Sequence, residues 1–349
     1  MTTTSTEGPF ITDHPLDGLR MPGEWERHAR CWMAWPCRPE TWPDEEAFDA
    51  ACASYAEVAR SIAGFEPVTM VCDPADVAEA SLACGGGVQI LPLPISDSWI
   101  RDTGPSFVLG DGGRMAGVHW RFNAWGGNYP NCDKDRQVGR LLLEQAGVPL
   151  VEAPLVLEGG AFHVDGQGTL ITTEQCLLNP NRNPGLNREE IEKELRLHLG
   201  VSTILWLGEG YEQDETDGHV DEIACFVRPG TVLMLTTDDP DDPNHRVFQD
   251  NFDRLRLARD ARGRELEIIP IRQPARREQK GVRLTMSYTN LYIANGGIVM
   301  PAFEDPADDE AYRTVRKAFP DREVVQIPAL DIVRGGGGIH CITQQQPAP

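Results

Sequence analysis

The chain has no run of 18 apolar residues, so no segment reads as a helix able to cross a bilayer. Its opening, MTTTSTEGPFITDHPLDGLR, lacks the apolar stretch of a secretory signal, and a cytoplasmic location is the expectation. Positive charge is scarce. Against 54 Asp and Glu there are 32 Lys and Arg, a formal net charge of -22. That balance argues against nucleic acid and anionic membrane as partners and suits a small cation. The nine cysteines include no CxxC pair and are odd in number, which fits reduced, mostly buried thiols better than a disulfide framework or a zinc cluster.

What the chain does have is a recurring order of elements. Helical periodicity appears over about 44–63, 134–146, 187–199, 245–262 and 307–319. In the third segment Asn187 can cap, Glu190 stands in the capping-box position and Gly200 closes the end. Each helix is followed by a β-rich run: PVTMVCD, VPLVEAP, VSTILWLG, ELEIIPI and EVVQIPA. Further on in each unit comes a glycine-marked strand, tight turn and strand. The fifth such segment, GGIHCITQ, runs out of chain after one strand. Its expected partner is the early strand RCWMAW (30–35), which would join the two termini.

Gly104, Gly159, Gly218, Ser287 and Gly338 mark the repeat, at steps of 55, 59, 69 and 51 residues. Five units, each with a helix and a small sheet, predict an α/β fold arranged as a closed five-bladed propeller with pseudo-fivefold symmetry. The competing arrangement, one doubly wound parallel sheet, does not suit a hairpin after every helix. Residues 1–349 are expected to form a single catalytic domain, with 1–20 a flexible N-terminal arm.

Rotational relation would bring matching positions together. Those positions hold Asp102, Glu158, His219 with Asp221, Asn290 and Cys341. Strand alternation lets His219 and Asp221 face the centre together, but not the neighbours His340 and Cys341. The four glycines 335–338 before His340 and Cys341 read as a site wall where something approaches the main chain closely. His163 and Asp165, in a second HVD, fall in the turn half of their hairpin and read as structural. A carboxylate pair is the natural clamp for a guanidinium, and a thiolate can attack its carbon.

These stretches carry a family resemblance. MPGEWERHARCWMAWP, SWIRDTGPSFV, EGGAFHVDGQGTLITTEQCLLNPNRNP, DETDGHVDEIACFVRPG, SYTNLYIANGG and GGGGIHCITQQQP resemble the agmatine deiminase family of the guanidino-group-modifying superfamily, from about residue 20 to the end. The resemblance implies hydrolysis of agmatine to N-carbamoylputrescine and ammonia, with no metal and no cofactor. By motif position it implies Cys341 as nucleophile, His219 as acid and base, and Asp102 and Asp221 as the guanidinium clamp. Trp99, Glu158 and Glu215 would line the substrate channel, and Asn290 would be an active-site amide. A homodimer rests on family analogy alone.

Departures from the family pattern are Gly338 and Asp217, where Asn is common, and Cys31, where Thr is usual. Gly338 removes a hydrogen-bonding side chain from the site wall and bears on substrate choice. Alternatives are a deiminase of another guanidine (arginine, peptidyl arginine or a specialised metabolite) and an amidinotransferase. From other classes come a metal hydrolase built on the HVD repeats and a polyamine-binding module without turnover.

Overall fold

A computed structural model describes residues 17–349. It contains several small mixed sheets in place of one large parallel sheet. In four of them an antiparallel hairpin is extended by a parallel strand. Ser106–Gly110 and Met115–Arg121 continue to Leu150–Val156. Phe162–Val164 and Thr169–Thr173 continue to Thr203–Leu207. Ala224–Arg228 and Thr231–Thr236 continue to Glu267–Arg272, and Tyr292–Ala294 and Gly297–Ala302 to Glu323–Pro328.

Beside the two-stranded ribbon Glu278–Gln279 with Val282–Arg283, one further sheet follows the same rule, between an early strand and the last one. Thr343–Pro347 pairs antiparallel with His28–Ala34, which continues in parallel to Val68–Cys72 and Val88–Pro92. The expected marriage of the last strand to RCWMAW is therefore present.

Parallel neighbours need a crossover: the step from Val68–Cys72 to Val88–Pro92 runs through the short helix Val77–Cys84, and the other five run through the expected helices. They are Glu45–Ala63, Asp135–Ala146, Arg188–Leu199, Pro243–Leu257 and Asp308–Ala318. Asn187 makes a complete capping box with Glu190, and Gly200 adopts the left-handed conformation after the last turn. The first helix is capped by the Asp44 side chain and buries Ala51, Cys52, Tyr55, Ala56, Ala59 and Ile62. These apolar positions recur at helical spacing, so one face meets the core.

Three details differ from the sequence reading. The fourth helix begins at Pro243, a residue preformed for a first turn, and ends at Leu257; Arg259 instead bridges to Glu265. A short helix, Val77–Cys84, went unread. Residues 1–16 of the expected arm lie outside the described residues, while Leu19–Arg20 is a strand on Leu109–Gly110. No helix among the described residues is long and apolar enough to cross a membrane.

Candidate active site

The first strand of each sheet is preceded by a short turn, and these turns carry the candidate side chains. Asp102 lies in the helical turn Ile100–Thr103, ahead of Ser106–Gly110. Glu158 caps the 3-10 turn Gly159–Ala161, and His219 caps the turn Val220–Glu222 that holds Asp221. Asn290 and Cys341 precede Tyr292–Ala294 and Thr343–Pro347.

Placement on turns corrects the alternation argument. A turn of helical pitch lets neighbours share a target that a strand would separate. His340 Nδ1 is 2.8 Å from Asp221 Oδ2, and the Cys341 sulfur is 3.7 Å from the same oxygen.

Gly160 shows how tightly the groups converge. A Cβ there would fall 2.6 Å from His219 Nδ1, 2.9 Å from Asp221 Oδ2 and 3.1 Å from Asp102 Oδ1. Only hydrogen fits. Asp102 is held from behind by the Gly160 N–H at 2.9 Å and by the Trp125 indole N–H at 2.8 Å. Trp125 is set by a left-handed pair, Ala124 (φ 58°) and Trp125 (φ 53°), uncommon for residues other than glycine.

Cys341 is 8% exposed. Its sulfur lies 3.4 Å from Glu222 Oε1 and 3.2 Å from Asn290 Nδ2. Asn290 is oriented by the backbone N–H of His340, which donates to Oδ1 at 2.7 Å. Burial, then Asp221, Glu222 and Asp102, push the thiol well above its ordinary value.

His219 has Nδ1 3.9 Å from Asp102 Oδ1 and Nε2 3.7 Å from Glu158 Oε2. Burial opposes its charge, but Asp102, Cys176 and Glu158 outweigh burial and hold the imidazole well above its usual value. Burial likewise works to raise Glu158, while the neighbouring His219 and the Arg182 charge bring it below the usual range. Arg182 Nε reaches Glu158 Oε1 at 2.8 Å, and its Nη1 reaches Asp217 Oδ2 at 2.8 Å.

Several buried polar atoms here have no hydrogen-bond partner among the described residues: Glu158 Oε2, His219 Nε2, Asp221 Oδ1 and Glu222 Oε2. Buried polar atoms are normally satisfied, so a group of them in one place marks where a ligand supplies the bonds. Three are carboxylate oxygens, the complement of a planar cation with several N–H donors.

The four glycines run along this space. Gly335 and Gly336 line a cavity of about 150 Å3 with Tyr129, Gln213 and Glu215. Gly336 has φ 107° and packs where a side chain would meet the Glu215 carboxylate. A Cβ on Gly337 would be 2.8 Å from Trp99 Cζ3 and 3.1 Å from the Cys341 sulfur, and one on Gly338 would be 2.5 Å from Asn290 Oδ1. Glu215, Trp99 and Asn290 thereby each pack against one glycine of the run, at Gly336, Gly337 and Gly338. Glu215 is exposed at the rim and bonded by the Tyr129 hydroxyl at 3.2 Å; surrounding protein and Asp214 push it up to about 7.

Sequence reasoning missed Glu24, Trp125, Arg182, Glu222 and His340. Glu222 and His340 are direct neighbours of residues it singled out, and Arg182 stands in the quoted NPNRNP. Glu24 takes His340 Nε2 at 2.9 Å, Arg101 at 3.4 Å and His163 at 3.5 Å. Asp165 is likewise spent on its own turn, accepting from Gln167 N, Thr169 N and Thr169 Oγ1. Arg101 is buried against Glu24, away from the rim. Two other arginines line the rim cavity, but Arg283 is paired with Asp242 and Glu212, and Arg334 with Asp331.

A thiol facing unpartnered carboxylates, with a charged imidazole beside them, is the equipment of a hydrolase of amidino carbon–nitrogen bonds. Known proteins agree. A Legionella pneumophila protein provisionally named an agmatine deiminase is 51% identical over 332 residues, 95% of each chain. The agmatine deiminase of Stutzerimonas stutzeri is 48% identical over 358 residues, covering 95% of this chain and 96% of that one. The solved agmatine deiminase of Enterococcus faecalis superposes with a TM-score of 0.93 at 37% identity, over 98% of this chain and 100% of that one. A dimethylarginine dimethylaminohydrolase from Pseudomonas aeruginosa shares the fold at TM-score 0.51 and 14% identity, over 91% and 99% of the two chains. The Porphyromonas-type peptidyl-arginine deiminase family matches residues 20–347, and this chain belongs to that family.

Proposed function

We propose that this protein hydrolyses agmatine to N-carbamoylputrescine and ammonia through a covalent adduct on Cys341, in the conversion of arginine-derived agmatine toward putrescine. The observation that carries the reading is the convergence around Gly160 of Asp102, His219 and Asp221, with Asp221 also 3.7 Å from the thiol.

Asp102 and Asp221 clamp the guanidinium, which lies over the sulfur. The empty site keeps the thiol protonated, because a thiolate there would sit unsolvated among acids. An arriving guanidinium reverses that penalty. The sulfur attacks the guanidinium carbon, and His219, held as imidazolium, protonates the departing nitrogen. Ammonia leaves and an S-alkylthiouronium remains. Water then adds to that carbon as neutral His219 takes one of its protons, and the carbon–sulfur bond breaks as the remaining hydroxyl proton passes to bulk water, giving the urea and the thiolate. The chemistry needs no metal or cofactor.

At the far end Trp99 lines the channel beside the thiol, and Glu215 meets the primary ammonium. The two rim arginines are neutralised by their own acids. An acidic rim disfavours the α-carboxylate of arginine. Five of the six sheets share a core of two antiparallel strands extended by a parallel one, and the last strand pairs with His28–Ala34; both support a five-bladed propeller about a pseudo-fivefold axis. Residues 1–349 would act as one catalytic unit. All nine cysteines are free, which suits the cytoplasm, and a homodimer follows from analogy.

Steady-state kinetics on agmatine, arginine, a peptidyl arginine and n-butylguanidine test the substrate. Agmatine should have the highest kcat/KM, with n-butylguanidine losing mainly in KM. Arginine preferred over agmatine would overturn the assignment. A requirement for an added amine acceptor would mean amidino transfer instead.

A further inference from the structure

Glu222 has no part in the clamp just described, yet it is 2% exposed and touches the nucleophile. Asn290 Nδ2 donates to Glu222 Oε1 at 2.9 Å and to the Cys341 sulfur at 3.2 Å. The sulfur is 3.4 Å from that same Oε1, so thiol, carboxylate and amide form a closed triangle. The triangle cannot turn over. Asn290 Oδ1 already accepts from the backbone N–H groups of His340 and Cys341, at 2.7 and 3.4 Å, which leaves Nδ2 as its donor end.

The other candidates to receive the thiol proton are worse placed. Asp221 Oδ2 is farther from the sulfur, at 3.7 Å, and is already bonded by His340 at 2.8 Å. His219 is held as imidazolium by the acids around it and has no free lone pair to offer.

Resting on the reading of Cys341 as nucleophile, we propose that Glu222 is a further catalytic residue, the base that takes the thiol proton as the sulfur attacks. The S–H bond breaks and its proton moves to Glu222 Oε1. The sulfur electron pair forms the bond to the guanidinium carbon, and the C=N π pair moves onto nitrogen, leaving a neutral tetrahedral adduct beside a neutral Glu222. When the carbon–sulfur bond later breaks, the proton returns from Glu222 to the thiolate.

The surroundings suit that task. Asp221 on its own turn, Asp214, Tyr211 and His219 from the preceding segment, and Cys341 and Asn290 opposite all face Glu222. Burial, then Asp221 and Asp214, raise its carboxyl well above the ordinary range, giving it the proton affinity a base needs. A bound guanidinium favours its ionised form, so base and substrate are present together.

The test is Glu222→Gln, which keeps the shape and an acceptor for Asn290 but cannot take a proton. Two quantities should move in opposite senses. The kcat for agmatine should fall on the order of 10²-fold, the usual scale for a lost general base. The pH profile for alkylation of Cys341 by iodoacetamide in the free enzyme should shift to lower pH, since an anion opposing the thiolate is gone. Loss of a spectator charge would also ease thiol ionisation but would not lower kcat, and a merely structural role would lower kcat without easing ionisation, so the two results together mark the base. Wild-type kcat, or an alkylation profile unmoved or shifted upward, would overturn the proposal. If the glutamine variant does not fold, Glu222→Asp decides: retracting the acceptor should lower kcat with little change in KM, and unchanged kcat would refute the assignment. Failure of the nucleophile reading looks different, since Cys341→Ala would then keep its turnover.

Discussion

Gly160 and Gly338 are where single hydrogens decide the chemistry. Gly160→Ala would drive a methyl group into His219, Asp221 and Asp102. Small displacements of reacting groups are costly, so kcat/KM should fall on the order of 10²-fold or more, and overpacking should also lower stability by about 1–3 kcal/mol, seen as a reduced thermal midpoint. Gly338 stands where the resemblance leads one to expect an asparagine, and the geometry shows how little room a side chain has there. An asparagine there would press its Cβ against Asn290 Oδ1, which is fixed by two backbone donors. Gly338→Asn should therefore disturb the Asn290 contact to the sulfur and lower kcat, with KM for agmatine the lesser change. Glu215 gives a pH signature. A carboxyl raised to about 7 is neutral below that pH and anionic above it. The KM for agmatine should fall as pH rises through about 7 and flatten in Glu215→Gln, while n-butylguanidine, which has no second cation, should show no such trend in either enzyme.

At the scale of elements, much was legible because periodicity and end signals are local. The five crossover helices, the strands after them and the Asn187 capping box were all readable, since helix boundaries are written in the residues that satisfy their ends. Facing within the site was not legible. Asp102, Glu158, Asp221 and Cys341 sit on short turns ahead of the strands, so a period of two did not apply, and the contact of both His340 and Cys341 with Asp221 was hidden. Glu158 and Arg182 lie 24 residues apart in sequence, and no local pattern announces such a pair. Both side chains are fully buried. Arg182→Ala would strand Glu158 and is expected to destabilise the fold by about 3–5 kcal/mol, measurable by urea unfolding.

Across the whole molecule, the last strand is closed by an early one next to the site. Thr343–Pro347, directly after Cys341, is held by His28–Ala34, and Glu24 from the same N-terminal region grips His340, Arg101 and His163. The repeat made this closure readable; the acid at its centre was not, because Glu24 stands outside every repeat position. Burial works to raise Glu24, but His340, His163 and Arg101 prevail and hold it well below the ordinary carboxylate range. A depressed carboxyl contributes stability that is full above its unfolded value and is lost as pH falls through the folded one. The thermal midpoint should therefore drop as pH is lowered from about 4.5, and Glu24→Gln should start lower and show a shallower acid limb. The central claim for the molecule is that its repeated turns deliver a guanidinium to one sulfur. Intact-protein mass spectrometry after rapid quench with agmatine tests it most directly. Wild type should carry a transient adduct of agmatine less ammonia, mapped to Cys341, with neither adduct nor turnover in Cys341→Ala. Turnover persisting in that variant, or an adduct mapped to another residue, would contradict the account.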